Sequence, residues 1–538
     1  MNTIVFVPAL KSNSVFQNDL LIKINGKTLI QRVIEKAKQF GVTQSSIHIF
    51  TDSEEVGLCG ERLGVTVFVD KEVVNSGSES QTQFLQYCRD NISSSDIVLR
   101  LSPYAPLIDV NTLQKARLSL DRLSVDGVVG VVVARVGKSD QEMIDVESEL
   151  CPAGNAKRRI RSTAFAFIRG AVIKGSKKQK EEFCTIDVGS DVFEIDSHED
   201  WWVCEKLLSR KRIVFRVIGN EYVGMGHIYR ALTLAHEIID HEIIFVTDED
   251  NKDAVNKLTD YDYRLEIYDR HNIVTRIADL MPDLVINDIL DTREGDVSLL
   301  QDCGARVMNF EDLGEGSTLA NITINELYDI PYIEGENIRW GMEYFFVRDE
   351  FEDATPCDFR RQPKALLLAF GGVDQHDLTR KILFTIEDVC RSRDVHIYIV
   401  TGPGYSGYNK LAKEIEDMNW ISLTHATGII SKIMENVSLA ITSNGRTVYE
   451  MAHMNIPALV IPQHEREKTH QFACEDNGFI QFEPYEANVT EQKVLMMLER
   501  MLDDPEYREG FHKKTLRHQF SENKRRVIDL IRDQLEDS

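Results

Sequence analysis

Short apolar runs alternate with segments of helical periodicity along the whole chain. Each run has the length of one strand, and the segments between them, such as "LIQRVIEKAKQFG", repeat apolar residues three or four positions apart. This alternation is typical of parallel sheets covered by helices, and it predicts an α/β fold. Strands are predicted at "TIVFVPA", "SIHIFT", "DIVLRLS", "VVGVVVA", "RIVFRVIG", "EIIFVT", "DLVIND", "ARVMNF", "KALLLAFGG", "VHIYIVTG", "LAITSN" and "PALVIP".

Two places along the chain predict domain boundaries. "LLSRKRIVF", near residues 207–215, ends one series of strands and starts another that has its own glycine loop. "FEDATPCDFRRQPK" is polar and contains two prolines, and a third series of strands follows it. We therefore expect three Rossmann-like units, at residues 1–210, 211–355 and 356–538, the last of which includes terminal helices.

Composition narrows the classes of function. A net charge of -25 argues against binding to nucleic acid, which needs clustered cations. The nine cysteines form no C-x-x-C pair, which favours reduced, structural thiols. We find no secretory leader and no apolar run of membrane-spanning length, so we expect a cytoplasmic protein without membrane contact.

The segment "VGMGHIYRALTLA" places His227 in the turn between a predicted strand and a predicted helix. Gly224 and Gly226 allow a close backbone approach, and the free N–H groups of such a turn favour an anion. A helix N-terminus disfavours the imidazolium, so a neutral His227 can accept a proton from water. The alternative is a histidine that only caps the helix or packs.

Three further glycine turns follow strands of the third unit: "AFGGVD", "TGPGYSG" and "SNGRTVYE". Each alone is compatible with simple turn chemistry, but three in one unit, opposite a Gly–His turn, predict a nucleotide-sugar cleft. Glu450 is expected to bind a ribose diol, one helical turn after the last of these glycines. The predicted UDP-binding residues are Gly224, Gly226, Gly371, Gly372, Asn444, Gly445, Arg446, Thr447 and Glu450.

Residues 211–520 resemble the UDP-sugar hydrolases of pseudaminic acid biosynthesis, which cleave UDP-2,4-diacetamido-2,4,6-trideoxy-L-altrose and are related to the MurG-type GT-B glycosyltransferases. The resemblance implies a two-lobed GT-B module in which His227 activates the water that attacks the anomeric carbon, with no cofactor. It is carried by "GMGHIYRALTLA", "ARVMNFEDLGE", "WGMEYFFVRDEF", "AFGGVD" and "SNGRTVYEMAHMNIPALVI".

The chain departs from this family at the sugar end of the cleft. Asn287 and Asp288 stand where the family has Asp-His after the "DLVI" strand. His470 and Gln471 replace an Asn-Gln pair and follow an unusually charged loop, "QHEREKTH". These four residues are the candidates for sugar recognition, and the stereochemistry of the sugar stays open.

Residues 1–210 resemble the CMP-sialic acid synthetases, a cytidylyltransferase family. The resemblance is carried by "VPALKSNSVFQNDLLIKINGKTLI", "IVLRLSPYAPLIDVNTL", "STAFAFIRGAVIK" and "VFEIDSHEDWWVCEKLL". It implies a Rossmann-like nucleotidyltransferase domain that binds CTP and a nonulosonic acid, with Mg²⁺ held by Glu194 and Asp196. These two residues alternate with Ile195, so a strand here would present both carboxylates on one side.

The nucleotide loop of this unit differs from the family pattern. Leu10 stands at the position of the family arginine, Lys11 and Ser12 at two glycines, and Ser14 and Asp19 at two lysines. Losing three cations and adding an acid weakens triphosphate binding, since each charge-assisted hydrogen bond contributes about 1.5–3 kcal/mol. Either the unit is a structural or ligand-sensing relative, or it transfers CMP with replacement groups such as Lys11 and Lys23.

Four hypotheses for the whole protein follow. The first is a hydrolase that releases UDP from a UDP-2,4-diacetamido-2,4,6-trideoxyhexose in nonulosonic acid biosynthesis, fused to a CMP-nonulosonate synthetase-like domain. The others are a bifunctional enzyme with an active synthetase, a GT-B glycosyltransferase, and a sugar-nucleotide-binding scaffold without catalysis. The expected ligands are a UDP-sugar and, for an active first unit, CTP, a nonulosonic acid and Mg²⁺. A homodimer is expected by analogy with the synthetases.

Overall fold

The computed structural model describes residues 2–11, 14–70, 86–122, 126–135, 157–174, 183–187, 192–220 and 222–536. The chain divides into two compact units, residues 1–210 and 211–538. In the described ranges, no helix is long and apolar enough to cross a membrane.

The first unit is built on a seven-stranded sheet that is parallel except for one strand, Lys157–Arg169, which runs antiparallel to both of its neighbours. The apolar runs become strands because both faces of the sheet are covered, so alternate residues on each side are buried. In spatial order the strands are Thr66–Val69, Ile47–Thr51, Thr3–Pro8, Ile97–Leu101, Lys157–Arg169, Gly127–Arg135 and Phe183–Asp187, with a small hairpin of Lys23–Ile24 and Lys27–Thr28. The helices are Leu29–Gln39, Glu54–Arg62, Val110–Arg122, Gly170–Ile173 and His198–Leu208.

The second unit consists of two lobes, each with its own parallel sheet. The sheet of the first lobe has seven strands, in the spatial order Arg264–Tyr268, Glu242–Asp248, Arg212–Val217, Leu284–Asp288, Arg306–Phe310, Ile322–Asn325 and Ile338–Trp340. Its helices are Gly226–His236, Lys252–Leu258, Ile273–Asp279 and Glu294–Asp302. The order in which strands are added to the sheet reverses beside the strand Arg212–Val217. Proteins with α/β sheets bind ligands at such a point, outside the carboxyl ends of the strands.

The second lobe repeats this architecture with six parallel strands. In spatial order they are Ile421–His425, His396–Thr401, Ala365–Ala369, Leu439–Thr442, Ala458–Val460 and Phe479–Gln481. The helices of this part of the chain are Leu378–Ser392, Tyr408–Glu414, Ile430–Met434, Thr447–His453, Glu465–Lys468, Val489–Asp503, Pro505–Thr515 and Asn523–Glu536.

The terminal helix Asn523–Glu536 returns to the first lobe. Val527 and Ile531 are fully buried in the hydrophobic core of that lobe. The Arg306 guanidinium donates to Gln534 Oε1 at 2.9 Å. From the sequence we predicted that this helix belongs to the second lobe, which directly precedes it along the chain. Its contacts are with residues about 200 positions earlier, and such contacts leave no local signal in the sequence.

The predicted α/β class with parallel sheets is confirmed. Each apolar run named above contains a strand, since the pattern of short runs and turns is local. The sheet of the first unit departs from the prediction in its one antiparallel strand, and the second unit has two Rossmann-like lobes.

Candidate functional site

The two lobes of the second unit enclose a cavity of about 510 Å³. The first lobe contributes the turn before the helix Gly226–His236. The second lobe contributes the turns after the strands Ala365–Ala369, His396–Thr401 and Leu439–Thr442. All of these turns lie at the carboxyl ends of parallel strands, so the four glycine turns of the sequence meet at one cavity.

The turn that carries His227 is fixed by Asn220 and two glycines. The Asn220 side chain accepts a hydrogen bond from Tyr222 N at 2.9 Å, and Gly224 N donates to Asn220 O at 2.9 Å. Gly224 has φ = 74°, a conformation that favours glycine. The helix begins at Gly226, so His227 lies in its first turn, where the ring is 6% exposed and borders the cavity.

Asp288 orients the His227 ring. It is the last residue of the strand Leu284–Asp288 and is fully buried. Its Oδ1 lies 2.5 Å from His227 Nδ1. Burial disfavours the charged carboxyl, but Arg230 and His227 outweigh it and hold the pKa of Asp288 below its usual value. An ionised carboxylate only accepts, so Nδ1 of His227 carries the proton, and a neutral ring has its lone pair on Nε2.

A buried cluster of charges surrounds Arg230 and joins the two lobes. The Arg230 guanidinium contacts Asp288, Glu311 and Glu326, and its Nη1 lies 2.6 Å from Glu311 Oε1. Glu326 also accepts a hydrogen bond from Arg446 of the second lobe. Burial opposes ionisation of Glu311, but Arg230 lowers its pKa, whereas burial raises the pKa of Glu326. Three carboxyl groups meet two guanidiniums in this cluster, and Arg230 Nη2 also lies 3.3 Å from His227 Nδ1.

Glycine backbones of the two lobes approach each other at the cavity. Gly371 has φ = 74°. A Cβ added to Gly372 would lie 3.1 Å from Gly224 Cα, across the gap between the lobes. A Cβ added to Gly402 would lie 2.4 Å from Gly372 Cα within the second lobe. Glycine is therefore required at positions 372 and 402 because the turns pack closely against each other.

Asn444 ties the last glycine turn to the charged loop that follows. Its Nδ2 donates to Glu467 O at 2.7 Å and to His470 O at 2.9 Å. His470 Nδ1 donates to Asn444 O at 2.7 Å, because a carbonyl oxygen only accepts. The His470 Nε2 is buried and has no hydrogen-bond partner among the described residues, and burial lowers the pKa of the ring. This leaves a neutral acceptor at the cavity wall.

Glu450 pairs with Arg348. The Arg348 Nε donates to Glu450 Oε1 at 2.8 Å, and its Nη1 lies 2.9 Å from Glu350 Oε1. Glu450 is 6% exposed and borders the cavity. Its carboxylate therefore has a fixed position, and the ribose contact stays a prediction.

The predicted residues of the second unit fall into two groups. Those that border the cavity are Gly224, Gly226, His227, Gly371, Gly372, Gly445, Arg446, Thr447, Glu450 and His470. The side chains of Asn287, Asp288, Asn444 and Gln471 are not part of the cavity wall. Asn287 donates to Asn309 Oδ1 at 2.9 Å inside the first lobe, so it supports the cavity from beneath.

Several polar residues of the cavity wall were not predicted from the sequence. Arg348 belongs to the quoted "WGMEYFFVRDEF" motif, and Gln463, Arg466 and Glu467 belong to the charged loop. Arg466 crosses to the first lobe, where its Nη1 lies 3.1 Å from Asp291 Oδ1. The density of charge in "QHEREKTH" was the signal that could have identified them.

Glu194 and Asp196 of the first unit do not lie on a strand, so the predicted strand at this position is wrong. Residues 192–196 are extended, but Ile195 N donates to Tyr104 O at 2.9 Å, a loop rather than a neighbouring strand. Burial and the charges of Glu194 and Asp200 raise the pKa of Asp196. Neighbouring carboxylates suit a divalent cation.

The nucleotide loop of the first unit is held by its own side chains. Asp19 is completely buried and accepts from Val15 N at 2.7 Å and from the Tyr104 hydroxyl at 3.1 Å. Lys11 Nζ lies 2.8 Å from Glu55 Oε2. Leu10 is buried. Ser12 lies outside the described residues.

Residues 4–195 match the family model described as Cytidylyltransferase. The 3-deoxy-manno-octulosonate cytidylyltransferase of Actinobacillus pleuropneumoniae is 30% identical over 126 residues, which are 23% of this chain and 49% of that protein. The predicted resemblance of the first unit to cytidylyltransferases is confirmed.

Other similar proteins match larger parts of the chain. A protein of Methanocaldococcus jannaschii is 29% identical over 270 residues, which are 46% of this chain and 55% of that protein. The spore coat polysaccharide biosynthesis protein SpsG of Bacillus subtilis is 23% identical over 307 residues, 55% of this chain and 90% of that protein. The structure of Acinetobacter baumannii MurG is 14% identical with a TM-score of 0.44, over 60% of this chain and 99% of MurG. The chain spans about half of the length of the archaeal protein and of the cytidylyltransferase.

Proposed function

We propose that the second unit is a hydrolase that releases UDP from a UDP-2,4-diacetamido-2,4,6-trideoxyhexose. The observation that carries the proposal concerns His227, which borders the cavity. Its Nδ1 pairs with the buried Asp288, and this pairing leaves Nε2 as the basic atom of the ring. A cavity of about 510 Å³ is in the range that encloses small ligands.

Hydrolysis requires a base for the water that attacks the anomeric carbon. In the proposed step the water oxygen bonds to that carbon, its proton moves to Nε2 of His227, and the bond to the β-phosphate oxygen breaks. UDP leaves with the electron pair of that bond. Asp288, which faces Nδ1, stabilises the imidazolium that forms in this step. A positioned base of this kind accelerates such a step about 10²- to 10⁴-fold.

The second lobe is proposed to hold the nucleotide. The backbone N–H groups at Gly371, Gly372 and Gly445 suit the diphosphate, and Glu450 suits the ribose. The neutral Nε2 of His470 is proposed to accept a hydrogen bond from a sugar hydroxyl or amide N–H.

The similar proteins support a role in the synthesis of activated sugar acids. One is described as acting in spore coat polysaccharide biosynthesis, and another as a cytidylyltransferase of an octulosonate, a sugar acid. A hydrolase that yields a free sugar and a relative of enzymes that activate sugar acids fit one biosynthetic sequence.

The first unit is proposed to bind CTP poorly. Its Lys11 pairs with Glu55 and is not free for a phosphate. Asp19 places a carboxyl group inside the loop, where it accepts from Val15 N. An active cytidylyltransferase is the second candidate, favoured by the family match over 4–195; the carboxylates of Glu194 and Asp196 would then hold Mg²⁺. Calorimetry with CTP and Mg²⁺, and pyrophosphate release in the presence of a nonulosonic acid, distinguish the two.

The proposed hydrolysis is tested with UDP-2,4-diacetamido-2,4,6-trideoxyhexoses of the altro and gluco series. Identification of the products by NMR is expected to show UDP and one free sugar. Products that form only when an acceptor alcohol is added would indicate a glycosyltransferase. UDP binding without any turnover would indicate a scaffold.

A further inference from the structure

Glu467 is a buried carboxyl in the cavity wall, and no lysine or arginine of the described residues forms an ion pair with it. It is 9% exposed and lies on the short helix Glu465–Lys468 of the charged loop. Its Oε2 accepts from Gln463 N at 2.7 Å. The backbone amide of Asn444 also faces this carboxyl, and Nε2 of His464 lies 3.8 Å from its Oε1.

The cations next to Glu467 in sequence are engaged elsewhere. Arg466 reaches the first lobe, where it contacts Asp291 and donates to Glu311 O. Lys468 Nζ lies 3.3 Å from Glu483 Oε2. A buried carboxyl without a cation favours its protonated form, because no opposite charge compensates for the lost hydration of the carboxylate. Burial raises the pKa of Glu467 to about 7, although the amides of Gln463 and Asn444 oppose this.

The Glu467 carboxyl lies beside the turn that borders the proposed diphosphate position. Its Oε1 is 3.9 Å from the point where a Cβ on Gly445 would lie. Asn444 fixes this arrangement, since its side chain holds the backbone of Glu467. A carboxylate at this place would repel a diphosphate, whereas a protonated carboxyl can donate a hydrogen bond to it.

We propose that Glu467 binds the diphosphate of the sugar nucleotide through its protonated carboxyl, so that ligand binding takes up a proton. This inference rests on the proposed function, because it needs the diphosphate to lie at the Gly445 turn. The bound anion stabilises the proton on Glu467, and the protonated carboxyl in turn stabilises the bound anion. Glu467 is thereby a specificity residue for diphosphate-linked ligands.

Several other titratable or charged groups lie near Glu467. Desolvation lowers the pKa of His470, which is buried, and that of His464, whose ring is partly exposed. His376, which follows the "AFGGVD" turn, forms a hydrogen bond from its Nε2 to Gln463 O at 2.9 Å. Arg466 and Glu311 stay charged. Between pH 7 and 8.5 the two loop histidines are therefore uncharged while Glu467 titrates.

The test is calorimetry with UDP-N-acetylglucosamine, whose diphosphate does not titrate between pH 6 and 8.5. It uses the full-length His227→Asn variant, in which the proposed base is absent, so that hydrolysis does not interfere. The affinity is expected to fall about fifteenfold between pH 7 and 8.5, since binding requires the protonated group. Titrations in two buffers of different ionisation enthalpy are expected to show uptake of about half a proton at pH 7.

The double variant with Glu467→Gln carries a permanent N–H donor. It is expected to bind equally well at pH 7 and 8.5, with no proton uptake. Glu465→Gln is the matched control, because Glu465 is exposed on the same helix and is not part of the cavity wall; it is expected to keep the pH dependence.

The outcomes separate this inference from the proposed function. Binding that is independent of pH, or equally pH-dependent after Glu467→Gln, overturns the role of Glu467 and leaves the proposed function intact. Failure to bind either UDP-N-acetylglucosamine or UDP overturns the nucleotide site itself, and the role of Glu467 with it.

Discussion

The Oδ1 of Asp288 lies 2.5 Å from Nδ1 of His227. The two residues are 61 positions apart in the sequence and come from the end of a strand and the start of a helix. This contact fixes which ring nitrogen of His227 is basic, and the proposed hydrolysis depends on it.

Asp288→Asn is expected to lower kcat roughly 10²- to 10⁴-fold, because the amide permits the wrong tautomer and no longer stabilises the imidazolium. KM is expected to change little, since Asp288 is not part of the cavity wall. Steady-state kinetics check both values, and UDP affinity by calorimetry controls for folding. An unchanged kcat would remove Asp288 from the mechanism.

Gly372→Ala is expected to lower kcat/KM roughly tenfold, because its Cβ would lie 3.1 Å from both Gly224 Cα and Met225 N and hold the lobes slightly apart. The melting temperature is expected to stay within a few degrees, since the crowding lies between the lobes. Gly295→Ala is the control: a Cβ there meets nothing within 4 Å, and its helix is expected to become slightly more stable. Equal kinetics in both variants would argue against a functional approach of the lobes.

Glu467→Gln is expected to stabilise the ligand-free protein at pH 8 but not at pH 4. Burial raises the folded-state pKa of Glu467 to about 7, above that of the unfolded chain. The free energy of unfolding of the wild-type protein therefore falls as pH rises from about 4.5 to 7, by about 3 kcal/mol at most. Chemical denaturation at the two pH values checks this. A stability gain that is the same at both would show that Glu467 does not titrate in this range.

Asp19→Ala is expected to destabilise the first unit by about 2 kcal/mol, because it leaves two backbone N–H groups and the Tyr104 hydroxyl without their acceptor. Hydrogen exchange of the full-length chain is expected to accelerate in peptides that cover residues 14–22. Asp90→Ala, at an exposed position, is the control and is expected to change nothing there. Slow exchange in both variants would mean that Asp19 does not hold the loop.

Local patterns were sufficient to predict the strands and the cavity-bordering glycines, since the turns of a parallel sheet meet at one edge. His227 was predicted for the same reason. The role of Asp288 beside it was not, because sequence spacing gives no information about a contact between a helix start and the end of a distant strand.

Other parts of the candidate site depend on long-range contacts. Glu467 carries the same charge in the sequence as the exposed Glu465, and only burial distinguishes them. Asn287 was expected at the sugar but supports the cavity from inside the first lobe. The segment around Ile195 alternates like a strand, yet it pairs with a loop. In each case, tertiary packing decided the outcome.

The most direct test of the central claim compares wild type and His227→Asn with UDP-2,4-diacetamido-2,4,6-trideoxyhexose as substrate. The asparagine variant is expected to bind UDP with unchanged affinity, while release of UDP from the substrate falls at least about 10²-fold. A variant that hydrolyses the substrate at the wild-type rate would contradict the assignment of His227 as the base.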